Sequence, residues 1–150
     1  MERSLVLIKP DAIQRGLAGV ILSRLERRGL KIVALKMLHM DRSLAERHYN
    51  MHKNKAFFND LVEFITSSPL IAAVFEGKNA VDAIRQTMGE TNSAKASSGT
   101  IRGDFALDLQ QNLIHGSDSV ENAEKEISIF FSQREICAYM RDIDKWITGS

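Results

Sequence analysis

From residue 112 the chain reads Asn112-Leu113-Ile114-His115-Gly116-Ser117-Asp118-Ser119-Val120-Glu121, an apolar pair and one histidine followed by small polar residues. The apolar pair predicts the end of a buried strand. Asp118, with Glu121 three residues later, predicts a helix start that resembles a capping box. Gly116 allows a sharp turn between the two elements without a Cβ penalty. His115 is therefore predicted to lie at a strand-to-helix turn, where free N–H groups and the helix dipole attract phosphate.

His115 is the residue of this stretch that is best suited to chemistry. A lone histidine more often has a structural role, but hydroxyl and carboxylate side chains surround this one in the sequence. Neutral imidazole is a nucleophile at neutral pH and accepts a phosphoryl group without a separate base.

Length and composition fit one globular domain that spans residues 1–150. The chain is 44% hydrophobic and 26% charged, and its net charge of +1 argues against a general polyanion-binding surface. Cys137 is the only cysteine, so no intrachain disulfide forms and a reducing compartment is favoured. Because no apolar run approaches ~18 residues and no signal-peptide pattern is present, we expect a cytoplasmic protein with no membrane segment.

Hydrophobic periodicity predicts alternating strands and helices along the chain. Strands are predicted over residues 4–8, 30–40 and 70–75, with a fourth that runs into His115. Helices are predicted over residues 17–28, 43–51, 58–66, 80–88 and 120–131, and a short one around residues 136–139. Residues 90–103 have no apolar period, which is typical of a functional or disordered loop, and residues 104–109 are irregular.

This order of elements matches a ferredoxin-like βαββαβ sandwich of the α+β class. We expect a four-stranded antiparallel sheet with helical additions and a C-terminal extension. A doubly wound parallel sheet is the competing fold, and periodicity alone does not exclude it.

Four ordered sequence blocks resemble those of nucleoside diphosphate kinases. They are Ile8-Lys9-Pro10-Asp11, Gly89-Glu90-Thr91-Asn92, Thr100-Ile101-Arg102-Gly103-Asp104-Phe105 and the residues around His115. The resemblance covers nearly the whole chain and implies the ferredoxin-like sandwich. It also implies an enzyme that transfers the terminal phosphate of ATP to ribo- and deoxyribonucleoside diphosphates. The implied route is ping-pong, through a phosphohistidine at His115.

The same resemblance implies which residues contact the nucleotide. They are Lys9, Phe57, Arg85, Thr91, Arg102 and Asn112. Arg85, Thr91 and Arg102 match residues that hold the phosphates. Lys9 and Asn112 match residues that bond the sugar hydroxyls, and Lys9 also lies near the transferred phosphate.

Other matching positions complete the implied site. Phe57 matches the aromatic residue that stacks on the base, and Leu109 falls where a second apolar residue faces it. Because every base has a π-face, such a stack tolerates all common bases. Tyr49 and His52 lie where further supporting contacts to the phosphate site are found, and Ser117 and Glu126 match the residues that support the histidine.

Three of these residues have plainer interpretations without the resemblance. Phe57 fits a core residue, Arg85 an exposed helix arginine, and Thr91 a helix cap. The polar, basic residues 48–55 fit either a solvated surface or one wall of an anion site.

Mg²⁺ is the implied cofactor. It is expected to be held by the substrate phosphates and water, as is usual for this hard ion. No direct protein ligand is expected, and Asp118 is the nearest candidate carboxylate, acting through water.

Two other functions fit a βαββαβ layout: a nucleic-acid-binding module and a catalytically silent regulator. RNA-recognition domains carry paired aromatic motifs on their sheet strands, whereas SLVLI and LIAAVF hold one aromatic residue between them. No dedicated nucleic-acid site is therefore expected. The intact Lys9, Arg102 and His115 argue against a silent regulator.

One departure from the family pattern concerns the aperiodic loop. Ser93 and Ser98 stand where family members commonly have proline, and this loop tends to carry subunit contacts. Family members are hexamers or tetramers, and the extension beyond Phe131 favours a homo-hexamer.

Overall fold

The computed structural model describes residues 1–149, in which one four-stranded sheet is flanked by helices. The strands are β1 (Glu2–Ile8), β2 (Lys31–Leu38), β3 (Leu70–Gly77) and β4 (Ile114–Gly116). The α-helices are α1 (Pro10–Gln14), α2 (Ala18–Arg27), α3 (Arg42–His48), α4 (Phe58–Thr66), α5 (Ala80–Met88), α6 (Ile101–Phe105), α7 (Val120–Phe130) and α8 (Asp144–Ile147). Short 3₁₀ turns lie at Asn50–His52, Ser93–Lys95 and Gln133–Glu135.

The strand order is β2-β3-β1-β4, and every neighbouring pair is antiparallel. β1 therefore lies inside the sheet, between β3 and β4. Helical connections join β1 to β2 and β3 to β4, as in a ferredoxin-like βαββαβ sandwich. The predicted fold class is confirmed, and the parallel alternative is wrong.

The two faces of the sheet carry separate hydrophobic clusters. Successive residues of a strand point to opposite faces, so Val6 and Ile8 pack with α2 and α5, while Leu5 and Leu7 pack with α3, α4 and α7. The central residues of β1 and β3 are fully buried as a result. These strands have no open face on which RNA bases could stack.

The C-terminal extension is bound along the start of the edge strand β2. The Cys137 N–H donates to the Val33 carbonyl at 2.8 Å, and the Tyr139 hydroxyl donates to the Ile32 carbonyl at 2.5 Å. Because this segment is extended along β2, the helix predicted around residues 136–139 is wrong. The helix of the tail is α8, farther along the chain.

Two short helices were missed by periodicity because each has only five residues. Pro10 begins α1, at the position where proline suits a helix start. Thr100 caps α6 by accepting the Gly103 N–H at 3.0 Å, so part of the predicted irregular stretch is helical. No helix among residues 1–149 is long and apolar enough to span a membrane.

Candidate active site

His115 is the middle residue of β4 and pairs with Leu7 of β1. Its side chain is 29% exposed, so one edge of the ring is open to solvent. The cap of the following helix α7 is Ser119, whose hydroxyl accepts the Asn122 N–H at 3.1 Å. The predicted cap at Asp118 is therefore wrong by one residue. Asp118 instead accepts a hydrogen bond from the Asn122 side chain at 2.6 Å.

Gly116 lies where α5 packs closely on β4. A Cβ atom at this position would lie 2.6 Å from Met88 Sδ and 3.0 Å from Ile84 Cγ2, so a larger residue would displace these side chains. Gly116 is a strand residue without a positive φ, and the predicted sharp turn there is wrong. The left-handed backbone of this region lies earlier, at Leu113, where φ is 77°.

A carboxylate and a hydroxyl fix the orientation of His115. Nε2 of His115 lies 2.8 Å from Oε1 of Glu126, and the Ser117 hydroxyl donates to the same oxygen at 2.9 Å. Burial favours protonated Glu126, but the hydrogen bonds from His115 and Ser117 outweigh burial and lower the pKa of this carboxyl. A carboxylate only accepts, so Nε2 carries the proton and donates. In the neutral ring, Nδ1 keeps its lone pair.

His48, at the end of α3, packs edge-on against His115. The two ring centroids are 4.9 Å apart with an interplanar angle of 88°. Burial, reinforced by the nearby His115, lowers the pKa of His48 to about 3, so this ring is neutral at physiological pH. Neither ring nitrogen of His48 has a hydrogen-bond partner among residues 1–149.

Lys9 and Asn112 form a buried pair beside β4. Lys9 Nζ donates to Asn112 Oδ1 at 2.6 Å and to the Gln110 carbonyl at 2.9 Å. The Asn112 amide in turn donates to the Thr91 carbonyl at 3.1 Å and to the Leu109 carbonyl at 3.0 Å. Burial lowers the pKa of Lys9 to about 8 against the attraction of nearby carboxylates.

Arg102 is buried and braces the backbone of the site. Its guanidinium donates to the carbonyls of Asn112 at 3.2 Å, Gly89 at 3.1 Å and Ile114 at 2.5 Å. Burial and the neighbouring Arg85 lower the pKa of Arg102 to about 10, which leaves it protonated at neutral pH. Three of the five guanidinium N–H groups are thus engaged, and the other two have no hydrogen-bond partner among residues 1–149.

The remaining phosphate candidates lie around one groove. Arg85, Thr91 and Arg102 line an open groove of about 460 Å³ at the C-terminal end of α5. Arg85 is exposed on α5, as in its plainer interpretation, and Thr91 is exposed in the loop. Thr91 caps no helix, because Asn92 caps the following turn. Two cationic side chains therefore face one solvent-open groove.

A row of rings extends from His115 to Phe57. His48 lies 4.7 Å from Tyr49, Tyr49 lies 6.4 Å from His52, and His52 lies 5.5 Å from Phe57, all between ring centroids. Burial raises the pKa of Tyr49 to about 12, so its phenol keeps its proton. Of the basic stretch at residues 48–55, the structure thus packs His48 against His115 and places Tyr49 and His52 next along the row.

Phe57 and Leu109 lie on the two segments that border the site. Phe57 is 45% exposed and Leu109 is 61% exposed. The side chain of Gln110 donates to the Asp60 carbonyl at 3.2 Å, which ties the Leu109 segment to α4. Exposure at this level makes the plain core interpretation of Phe57 wrong.

The residues that sequence analysis missed act through distant contacts. It gave no role to His48 or to Asp11, although both lie in stretches that were singled out. Asp11 accepts the Leu113 N–H at 3.0 Å across 102 residues of chain. No local pattern encodes such a contact, because the fold alone brings these residues together.

Acidic side chains near His115 form no metal cage. No group of three or more histidine, cysteine or acidic side chains among residues 1–149 is arranged to hold a metal ion. Asp118 is exposed and uses one carboxylate oxygen to accept from Asn122. Its other oxygen is available to a water molecule.

Comparison with known proteins points to one family. The family model described as nucleoside diphosphate kinase matches residues 2–136. A nucleoside diphosphate kinase of Thermomicrobium roseum is 54% identical over 149 residues, covering 99% of this chain and 100% of the relative. One of Symbiobacterium thermophilum is 56% identical over 147 residues, covering 98% and 97%.

Solved structures give the same result. A halophilic nucleoside diphosphate kinase from Halobacterium salinarum, in complex with CDP, superposes with a TM-score of 0.95 at 48% identity, covering 97% of both chains. A nucleoside diphosphate kinase family protein from Babesia bovis also reaches 0.95, at 39% identity, covering 98% of this chain and 99% of that one. The chain therefore belongs to the nucleoside diphosphate kinase family and is an enzyme that transfers phosphate between nucleotides.

Proposed function

We propose that His115 is the nucleophile of this transfer and carries the phosphoryl group as a phosphohistidine. The observation that carries the proposal is the hydrogen bond from Nε2 of His115 to Glu126. It commits the ring proton to Nε2 and leaves Nδ1 as the nucleophilic atom on a partly exposed ring.

In the first half-reaction, the Nδ1 lone pair attacks the γ-phosphorus of ATP. The N–P bond forms while the bond from the γ-phosphorus to the bridging oxygen breaks, and ADP leaves with that electron pair. In the second, a terminal phosphate oxygen of a nucleoside diphosphate attacks the same phosphorus. The N–P bond breaks, its electron pair returns to Nδ1, and the triphosphate leaves.

Cations supply the charge stabilisation that this reaction needs. Arg85 and Arg102 line one groove, and Thr91 lies beside them with a hydroxyl to donate. Guanidinium groups give forked donors to phosphate oxygens, so these residues are proposed to hold the nucleotide phosphates. Lys9 and Asn112, already bonded to each other, are proposed to meet the sugar hydroxyls.

The base is proposed to lie between Phe57 and Leu109. Both side chains are exposed, and they lie on two segments tied together by Gln110. A stack on Phe57 reads no base edge, so nucleotides of all common bases are proposed as substrates. That both ribo- and deoxyribonucleotides are accepted is proposed from the family resemblance. Tyr49 and His52 complete the row of rings between Phe57 and the histidine. Tyr49, protonated at neutral pH, is proposed to donate to the transferred phosphate.

Mg²⁺ fits this site as a partner of the substrate. Oxygen ligands from phosphates and water suit it, and Asp118 offers an exposed carboxylate that would contact it through water. When bound, it would neutralise negative charge on the phosphates. The protein residues hold the nucleotide, while Glu126 and Ser117 hold the histidine.

We further propose one domain over residues 1–150 that assembles into a homo-oligomer, a hexamer in preference to a tetramer. Large apolar side chains are exposed on the C-terminal extension and on β2. They are Leu35, Met37, Met140, Ile143 and Trp146. Such side chains fit subunit contacts. A cytoplasmic location stays a prediction from the sequence.

Steady-state kinetics test the proposed route. Double-reciprocal plots at several fixed acceptor concentrations should be parallel for the wild type, as a ping-pong mechanism requires. His115→Ala should lose turnover while it still binds ADP, because the other contacts remain. Intersecting lines, or substantial turnover by the purified variant, would contradict the proposal.

A further inference from the structure

We propose that Asp11 is a positioning residue, which holds a strained turn before His115 and so aims both Asn112 and the nucleophile. This inference rests on the proposed role of His115. It concerns a carboxylate for which the proposed chemistry has no direct use.

The strained turn is centred on Leu113. The Ile114 N–H donates to the Asn112 carbonyl at 2.9 Å, and φ of Leu113 is 77°. A hydrogen bond two residues apart with a positive φ at the central residue defines the rare, strained form of γ-turn. Leu113 is a branched, fully buried residue without the freedom of glycine, so something must hold it there.

Asp11 and its neighbour Lys9 hold both backbone groups of Leu113. The Leu113 N–H donates to Asp11 Oδ2 at 3.0 Å. The Lys9 N–H donates to the Leu113 carbonyl at 2.9 Å. Residues at the start of α1 thus bind both the N–H and the carbonyl of Leu113, the central residue of the γ-turn.

Arg102 binds the same turn through the residues on either side of Leu113. It donates to the carbonyls of Asn112 and Ile114, the two residues that flank Leu113. The carboxylate of Asp11 and the guanidinium of Arg102 also attract each other, so each partly offsets the charge of the other. Arg102 is proposed to bind phosphate as well, whereas the Asp11 carboxylate accepts a hydrogen bond only from the Leu113 N–H among residues 1–149.

The direction of the chain after this turn places the reactive groups. Asn112, before the turn, directs its amide oxygen at Lys9. His115, two residues after Leu113, enters β4 opposite Leu7. A relaxed turn would therefore displace the sugar contact and the nucleophile relative to each other. Because transfer requires near-attack geometry, a small displacement is costly in rate.

The experiment measures the single-turnover rate of phosphoenzyme formation from ATP. Asp11→Ala should slow this rate by about tenfold or more with a smaller change in the nucleotide Kd. Asp11→Asn keeps an acceptor oxygen and should stay within about threefold of the wild type. Asp60→Ala is the matched control, because Asp60 is an exposed aspartate in the first turn of α4.

Relief of the strain gives the decisive comparison. Glycine adopts positive φ without a Cβ penalty, so in Leu113→Gly the turn no longer needs the hydrogen bond to Asp11 to hold it. In that background Asp11→Ala should change the rate by no more than about threefold. Hydrogen exchange of the Leu113 amide should be faster in Asp11→Ala than in Asp60→Ala, because only the first loses the acceptor.

Three results would overturn the inference: an Asp11→Ala rate close to wild type, an equal loss in Asp11→Asn, or an undiminished loss in the Leu113→Gly background. If Asp11→Ala does not fold, Asp11→Glu, which keeps the charge but displaces the acceptor, must show the same slowing. His115→Gln separates the two proposals. If His115→Gln still forms a phosphoenzyme, the proposed nucleophile is contradicted. If His115→Gln forms none and Asp11→Ala reacts at the wild-type rate, only the role of Asp11 is contradicted.

Discussion

At the residue scale, two buried cations set the electrostatics of the site. Lys9 is only 8% exposed and Arg102 only 6%. Both are held by neutral oxygens, Lys9 by an amide and a carbonyl and Arg102 by three carbonyls. Neither cation forms an ion pair with a carboxylate among residues 1–149, although carboxylates lie within electrostatic range of both. Buried charges of this kind attract an anionic ligand strongly, which supports the proposed binding of the nucleotide phosphates.

The pKa of Lys9 gives a pH prediction. Burial lowers this pKa to about 8, so kcat/KM for ATP should fall as the pH rises through about 8 and the lysine loses its charge. Lys9→Arg keeps its charge and should lack this fall, whatever its absolute rate. The measurement is kcat/KM from about pH 6 to about pH 10. A fall at the same pH in both proteins would assign it to another group.

The same shift affects stability in a direction that is unusual for a charged side chain. The unfolded chain keeps the Lys9 proton up to its ordinary pKa of 10.5, whereas the folded chain releases it near 8. Between these values the unfolded state binds more protons, so the contribution of Lys9 to the free energy of unfolding rises with pH. Below about pH 8 the buried charge destabilises the fold.

Sequence analysis predicted the identity of site residues better than their contacts. Lys9, Arg102 and Asn112 were singled out by motif resemblance, and the structure brings them together. The hydrogen bonds from Arg102 to three backbone carbonyls could not be predicted, because backbone acceptors have no sequence signature. The same holds for His48, whose contact with His115 arises from the packing of α3 beside β4.

At the scale of elements, the loop between α5 and α6 differs most from expectation. The predicted aperiodic stretch contains the turn Ser93–Lys95 and leads into the capped helix α6. Periodicity does not detect helices of three to five residues, because they are shorter than two helical turns. The three long strands and the longer helices were predictable because their apolar patterns extend over several repeats, whereas the three-residue strand β4 was predicted from the apolar pair before His115.

Ser93 allows a stability prediction. It is the first residue of its 3₁₀ turn, after an Asn92 in extended conformation, which are the positions that suit proline and its predecessor. Among residues 1–149, its buried hydroxyl has no partner. Ser93→Pro should therefore raise the free energy of unfolding by ~0.4–1 kcal/mol, with kcat nearly unchanged.

Urea titration followed by activity and by sedimentation measures this effect. Ser93→Ala is the matched control, because it removes the unpaired hydroxyl without fixing the backbone. The proline variant should unfold at higher urea than the alanine variant and should dissociate later. Equal or earlier unfolding of Ser93→Pro would mean that the loop backbone does not accept proline.

At the scale of the whole molecule, the distribution of exposed apolar side chains fits the proposed assembly. Trp146 is 81% exposed and Met140 is 93% exposed, and both belong to the C-terminal extension, with Trp146 in α8. Aromatic side chains of this size are costly to leave in water. The sequence predicted an oligomer only through family resemblance, since apolar periodicity does not distinguish a core from an interface.

Trp146→Glu should therefore weaken the assembly. A charge at a subunit contact is desolvated without a partner, so sedimentation velocity should show smaller species than for the wild type. Met51→Glu is the control, because Met51 is 75% exposed but lies in the turn near the row of rings. If both variants sediment like the wild type, the extension is not a subunit contact.

The phosphoryl group is proposed to travel between two nucleotides on His115 itself. Incubation of the purified protein with ATP, without an acceptor, should add one phosphoryl group per chain by intact-protein mass spectrometry. The modification should map to His115, should be acid-labile and base-stable, and should disappear when GDP or dTDP is added as the triphosphate forms. His115→Gln should acquire none. Turnover without any phosphoenzyme in the wild type, or phosphorylation of His115→Gln that still passes to GDP, would contradict the proposed role of His115.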